Sequence, residues 1–331
     1  MDDSKAVMPP SDSLDEWLAR VGRLRVDRSH DVPAPHKPLL LMSVMDLVRD
    51  GVIARPFVEL STELIEVFNT YWEAWSEGRS RGLVALPFFH LRSEGFWQLV
   101  PLSGMEEALR SAESISSVVR LRQMIIGASI DAALWALMQE PGPRETMRQT
   151  LLRTYFARPE MDRLVHAERQ MAEVAAARRE LLGRADHEFR LREPRPRQTN
   201  EVVRTAAFRS AIVGLYDHTC AICGLRLITP QGLSALEAAH IVPFSESHND
   251  DPRNGLGLCK LHHWCFDQGL VSVADDLTIL TSPILDPRRP TEDRLTELEA
   301  KPILPPHDAA YLPSNEALEW HRSNVLLQPD Q

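Results

Sequence analysis

A polar start, residues 1–13, gives way at Leu14 to a helical period, with Trp17, Leu18, Val21 and Leu24 recurring on one face of a helix over 15–24. The next segment, SHDVPAPHKP (29–38), holds three prolines that bar a regular element. An almost continuously apolar run then predicts a buried helix over 39–50, closed by Gly51 as its C-cap. A further helix is expected over 62–75. LPFFHLRSEGFWQLV (86–100) reads as a β-hairpin, with strands over 88–91 and 96–100 joined through Ser93, Glu94 and Gly95. Helices over 128–138 and 143–156 complete a first unit of α+β character.

Residues 159–182 are charged and helix-prone, rich in Ala, Arg and Glu. The basic, proline-punctuated RLREPRPRQTN that follows carries Arg190, Arg192, Arg195 and Arg197. It is either a solvated tether or a strap that contacts phosphate. A second unit starts near Val202. The chain thus divides into 14–158, a helical and basic linker over 159–201, and 202–331. No internal repeat is visible.

With 44% hydrophobic and 25% charged residues, 331 residues suffice for two separate cores and exclude a wholly disordered, collagenous or coiled-coil chain. No stretch approaches the ~20 apolar residues of a membrane span. The nearest, 38–48, is broken by Asp46 and followed by Arg49 and Asp50. Without a basic, apolar leader at the N-terminus, a cytoplasmic location with no membrane partner is expected. The net charge of −10 argues mildly against nucleic acid, although only the local field at a binding face matters.

All four cysteines, Cys220, Cys223, Cys259 and Cys265, fall within 46 positions. A C-x-x-C pair in such a chain points to a metal rather than a disulfide. Cys220 and Cys223 sit on a turn of the kind that aims two thiolates at a tetrahedral ion, and Cys259-Lys-Leu-His262 supplies a second pair. Cys265 is the rival fourth ligand. A structural Zn²⁺ is expected, against the alternative of reduced core cysteines.

Between these pairs lie His240, Asn254 and His263, spaced by 14 and 9 residues. Spacing alone is a weak signal. The run EAAHIVP…NGLGLC…HH…FDQGL, with the late LEWHRSNV, resembles the HNH nuclease motif, which implies a ββα-metal fold. By that resemblance two strands carry His240 and Asn254, and a following helix carries His263. His240 becomes the general base for an attacking water. His263 becomes a ligand for a catalytic divalent ion (Mg²⁺, Mn²⁺ or another), and Asn254 fixes the His240 loop across the hairpin. Many HNH enzymes place a ligand immediately before the catalytic His, where this chain has Ala239. Glu237 is the available replacement, or else an exposed strand residue. Asp267 either caps the helix end or orients His263. His248 and Asn249 read as plain loop residues.

The first unit, through APHKPLLLM and LPFFHLRSEGFW, resembles the sulfur-binding domain that precedes HNH modules in type IV, modification-dependent restriction endonucleases. The resemblance implies recognition of phosphorothioated DNA, with His36, Lys37, His90 and Arg92 as DNA contacts. His36 and Lys37 are expected in an irregular stretch just before a helix, and Arg92 beside a hairpin tip. Phe88, Phe89, Phe96 and Trp97 are expected in the core. Where the family has an aromatic-proline turn this chain has IIGASIDAALWAL, leaving Gly127, Ala128 and Ser129 to form a shallow pocket. The expected protein is an α+β, two-domain DNA endonuclease acting on modified double-stranded DNA. It is expected as a homodimer, because one HNH site cuts one strand. Rivals are a DNA-binding protein with an inactive HNH fold, and an HNH nuclease reading another modification or unmodified sequence.

Overall fold

Helix formation in the N-terminal half follows the apolar stripes. The computed structural model describes residues 11–27, 34–80, 82–194, 200–286, 288 and 293–329. They form two units, 1–169 with 230–232, and 170–229 with 233–331. In the first, α1 (Ser11–Val21) precedes α2 (His36–Arg49), whose residues 37–48 are all buried. After β1 (Phe57–Val58) come α3 (Thr62–Ser76), α4 (Ala85–His90) and a 3₁₀ turn (Leu91–Glu94). They lead to β2 (Trp97–Pro101), α5 (Glu106–Ser111) and α6 (Val118–Arg122). Next are β3 (Ile125–Ile130), α7 (Ala132–Gln139) and α8 (Pro141–Tyr155), then α9 (Arg158–Leu182), which begins in this unit and ends in the second. The antiparallel sheet has the order β1-β3-β2.

Three expectations require correction. The first strand of the expected 86–100 hairpin is helix α4: Phe88, Phe89 and Leu91 are all buried, a pattern that strand alternation cannot supply but a helix wedged into a core can. Residues 128–130 belong to β3, and the helix starts only after Asp131, whose carboxylate caps it by accepting from Ala133 and Leu134 N–H. His36 and Lys37 do not precede α2 but open it. Proline is tolerated at Pro38 because the first helical turn needs no N–H donor. Phe88, Phe89, Phe96 and Trp97 are core residues, as expected. Gly127, Ala128 and Ser129, the expected shallow pocket, lie on the central strand β3. A Cβ at Gly127 would lie 2.5 Å from Val58 O.

In the second unit α10 (Glu201–Leu215) packs on an antiparallel hairpin of β4 (Leu236–His240) and β5 (Gly255–Cys259), registered His240 to Gly255 and Leu236 to Cys259. A Cβ at Gly257 would meet the Tyr216 ring at 2.7 Å, so this glycine lets α10 close on the sheet. A short helix α11 (Phe244–Ser247) lies between the strands, and α12 (Lys260–Asp267) follows β5 directly with Cys259 as its N-cap. Hairpin β6 (Val271–Val273) and β7 (Ile279–Thr281), α13 (Asp293–Thr296) and α14 (Asn315–Asn324) finish the unit. His321 of α14 lies flat on Phe266 at 3.7 Å, and its ring nitrogens meet Ser272 Oγ and Phe266 O. Burial pushes its pKa down to about 4, which favours its neutral form.

The first core buries a charged pair. Arg148 donates to Asp46 and, at 2.8 Å, to Tyr71 Oη, with both its own and the Asp46 side chain almost wholly buried. Burial pushes the Asp46 carboxyl up, and Arg148 and Arg49 oppose it. Removing one partner strands the other. Asp46→Ala should therefore cost about 3–5 kcal/mol. Urea unfolding followed by tryptophan fluorescence checks this, since five of the seven tryptophans lie between residues 17 and 135. A loss under ~1 kcal/mol would place the pair in the weak, solvent-screened class instead.

Candidate active and metal sites

The knuckle after α10 forms because Cys220 N–H donates to Leu225 O and Gly224 N–H to Cys220 O, with Gly224 at φ +70°. Ala221 N–H then donates to Gly257 O at 2.8 Å, tying the knuckle to β5. This brings Cys220 and Cys223 to Cys259, at the end of β5, and His262, in the first turn of α12. All four donor atoms lie within 4.8 Å of one another. His262 Nδ1 is 3.2 Å from Cys259 Sγ and 3.6 Å from Cys220 Sγ. Cys265 is buried in the core outside this group. Three soft sulfurs and an imidazole at this spacing fit a closed tetrahedral metal site. Burial pushes the Cys223 and Cys259 thiols up, and the neighbouring thiols add to that push. Cys220 resists burial through the His262 bond and main-chain N–H groups. A bound cation would relieve this crowding.

Beside the knuckle, β4 ends at His240. Its Nε2 meets Asp250 Oδ1 at 2.9 Å, and its ring stacks on Phe208 at 3.8 Å. Asn254 is wholly buried: its Oδ1 accepts from Val242 N–H at 2.9 Å, and its Nδ2 donates to Val242 O and Asn249 O, each at 3.0 Å. These bonds close the loop between the strands. His263, on α12, meets Glu237 Oε2 through Nδ1 at 2.9 Å and Asp267 Oδ2 through Nε2 at 3.5 Å. Burial pushes the Asp267 carboxyl up; His263 opposes this and Glu237 adds to it. His240, His263 and Asp267 line one cavity of about 360 Å³, together with Ala238, Pro243 and Phe244. Ala239 faces the core instead.

The loop from Ser245 to Asp251 holds more than its sequence suggests. Asn249 is buried, donating to Arg190 O at 2.7 Å and accepting from Asp251 N–H at 2.7 Å, so it is not a plain loop residue. Glu193 N–H donates to Ser247 O, and Arg253 donates to Arg184 O and His187 O. The segment through Glu193 is thus bonded along this loop, while Arg195 and Arg197 lie outside the described residues. Asp250, Arg204 and Phe208 escaped the sequence reading altogether. The doubled Asp in NDDPRN was the one signal, and nothing in the spacing separates Asp250 from Asp251.

In the first unit His36, Lys37 and His90 line a second cavity of about 330 Å³, with Leu86, Pro87 and Ser93 and with the exposed Arg25 and Asp27. Lys37 is buried, donating to Arg25 O at 2.8 Å and Ser93 Oγ at 3.1 Å and pairing with Glu94. His36 lies against Trp72, and His90 Nε2 meets Ser114 Oγ at 3.1 Å. Burial lowers the pKa of both histidines, with Lys37 and Arg92 adding to the effect at His90. Arg92 lies over the Phe89 ring at 3.8 Å and donates to Leu109 O and Ala112 O, so its guanidinium does not join the cavity lining.

Comparison with known proteins adds two matches to family models. Residues 14–169 match the ScoMcrA-like DNA sulfur-binding domain, and residues 220–274 match the HNH endonuclease family HNH_2. No curated protein matches. Among solved structures, a modification dependent TagI restriction endonuclease aligns at 22% identity with a TM-score of 0.29. That alignment covers 41% of this chain and 42% of the TagI chain, so the match spans less than half the relative's length. No described helix is long and apolar enough to cross a membrane. The chain carries, in this order, a ScoMcrA-like DNA sulfur-binding domain and an HNH endonuclease domain.

Proposed function

We propose that the protein is a modification-dependent DNA endonuclease, whose first domain reads phosphorothioated DNA and whose second hydrolyses phosphodiesters. The observation that carries this reading is the meeting of His240 and His263 at one cavity, over a hairpin closed by Asn254, in a chain that also has a sulfur-binding domain. His240 takes the proton of the attacking water. Asn254 holds the loop that places it. His263, with Glu237 and Asp267 beside it, offers the nitrogen and hard oxygen donors that suit Mg²⁺ or Mn²⁺. Such an ion would supply charge neutralisation at the phosphate. The rival, an inactive HNH fold, rests on Ala239, yet Glu237 on the same strand meets His263 in its place. Two copies acting together would cut both strands, which favours a homodimer in the cytoplasm.

In the recognition domain, His36, His90, Leu86 and Pro87 form the proposed reading surface. Lys37, neutralised by Glu94, forms its floor, and Arg92 braces the chain behind it. Sulfur is larger and less strongly hydrated than oxygen, so a dry apolar wall favours it.

Three outcomes are expected. His240→Ala should slow cleavage of a phosphorothioate-bearing plasmid by at least ~10²-fold while DNA binding persists. Near wild-type cleavage would sink the HNH assignment. The second concerns zinc: elemental analysis should find it in the purified chain, and Cys223→Ser should lose it and lower the stability of the C-terminal unit, because a bound ion would tie the knuckle to β5 and α12. Cys265→Ser should keep both metal and fold; if it too loses the metal, His262 is not the fourth ligand. Third, the full chain carrying His240→Ala should bind a phosphorothioate duplex more tightly than its plain counterpart by ~1–3 kcal/mol, the scale of one good discriminating contact. Superimposable titrations would remove the sulfur reading and leave DNA binding intact.

A further inference from the structure

His240 is gripped on its edge and on its face. Nε2 meets Asp250 Oδ1 at 2.9 Å, and the ring lies parallel to Phe208, with 10° between the planes. Among the described residues nothing bonds Nδ1. Asp250 is itself held: both its oxygens lie 2.8 Å from Arg204 Nη1, and the Arg204 guanidinium rests 3.5 Å over the Phe244 ring. The Asp250 side chain is only 8% exposed. Three elements (α10, the end of β4 and the loop after α11) therefore converge on one imidazole.

We propose that Asp250 is a positioning residue for the hydrolysis. Accepting from Nε2–H, it fixes the tautomer in which Nδ1 carries the free lone pair and serves as the base. Arg204 keeps the carboxylate aimed. The inference rests on the reading of His240 as base, and specifies the nitrogen that acts. In the step, a water O–H bond breaks and its proton goes to Nδ1. The water oxygen bonds to phosphorus as the bond from phosphorus to the leaving oxygen breaks, and solvent protonates that oxygen. The imidazolium so formed keeps its Nε2–H on Asp250. A carboxylate strengthens this hydrogen bond as positive charge develops, which a neutral loop carbonyl does more weakly.

The tautomer can be observed directly in the full chain labelled with ¹⁵N-histidine. His240, assigned by its loss in His240→Ala, should show Nε2 protonated and Nδ1 bare. The opposite tautomer overturns the proposal without any variant of Asp250. Single-turnover cleavage of a phosphorothioate-bearing plasmid with Mn²⁺ supplies the second arm. Asp250→Asn should lower the rate by at least ~10-fold, the lower scale for loss of an orienting partner, with DNA affinity unchanged. Residues acting as one unit are not additive. The double variant His240→Ala with Asp250→Asn should therefore be no slower than His240→Ala alone. A wild-type rate for folded Asp250→Asn, or a further loss in the double variant, marks Asp250 as structural and leaves the base reading standing. Normal cleavage by His240→Ala removes the base reading itself. Should Asp250→Asn fail to fold, Arg204→Lys keeps the charge without the fork. It should lower the rate in the wild-type background and not in the His240→Ala background; loss in both overturns the proposal.

Discussion

One buried amide holds the β4–β5 hairpin together. Asn254 has no contact with solvent, and its side chain meets main-chain groups of Val242 on one side and Asn249 on the other. Each buried polar group left without a partner costs ~1–3 kcal/mol. No apolar residue of the same size can satisfy a carbonyl acceptor, an N–H donor and a second carbonyl at once. The loop that follows His240 is therefore pinned at its first residues and at Asn249, and Asp250 comes next. The positions of His240 and of the carboxylate facing it descend from this amide. The glycines around it serve the same end, since Gly255 and Gly257 admit Ile212, Phe208 and Tyr216 of the α10 region against the hairpin.

The acidic balance of the chain takes on another meaning once the partners are known. Two of the candidate DNA contacts, Lys37 and Arg92, and two further arginines are committed internally. Arg204 holds Asp250, Arg253 holds Asp251, Lys37 holds Glu94, and Arg92 holds main-chain carbonyls. Their cost of desolvation is recovered only by these partners. Cations so engaged fix geometry, and the counting of basic residues overstates the field available to DNA.

What was legible followed from rules that act over a few residues. The knuckle spacing of Cys220 and Cys223, and of Cys259 and His262, is set by one turn and one helical step, so the sequence shows it directly. The strand, loop and helix order around His240, Asn254 and His263 is local in the same sense, although Asn254 ends a 3₁₀ turn just before β5 and does not stand on the strand as expected. What was not legible required distant packing. Phe88 and Phe89 have strong strand propensity, but both must be buried, and tertiary burial overrides propensity. Asp250 acquires its role only when Arg204, 46 residues earlier, reaches it. Asn249 matters because Arg190 O lies against it. Neither contact leaves a trace in spacing.

The recognition cavity poses a physical problem that its lining answers in the proposed reading. A phosphodiester and a phosphorothioate diester both carry one negative charge, so a free cation would attract the two alike. Discrimination must come from the cost of drying the atom that enters. Oxygen concentrates charge and resists desolvation; sulfur spreads it and resists less. Here the one buried cation, Lys37, already faces Glu94, and burial lowers the pKa of His36 and His90, favouring their neutral forms. Leu86 and Pro87 add apolar surface to the same walls. In that reading the buried lysine is paired, the imidazoles favour their neutral forms, and the remaining cation of the lining, Arg25, is exposed, so the dry part of the wall has little to offer an oxyanion beyond what water offers. It can still accommodate a polarisable atom, which is why the missing aromatic-proline turn need not remove the preference for sulfur.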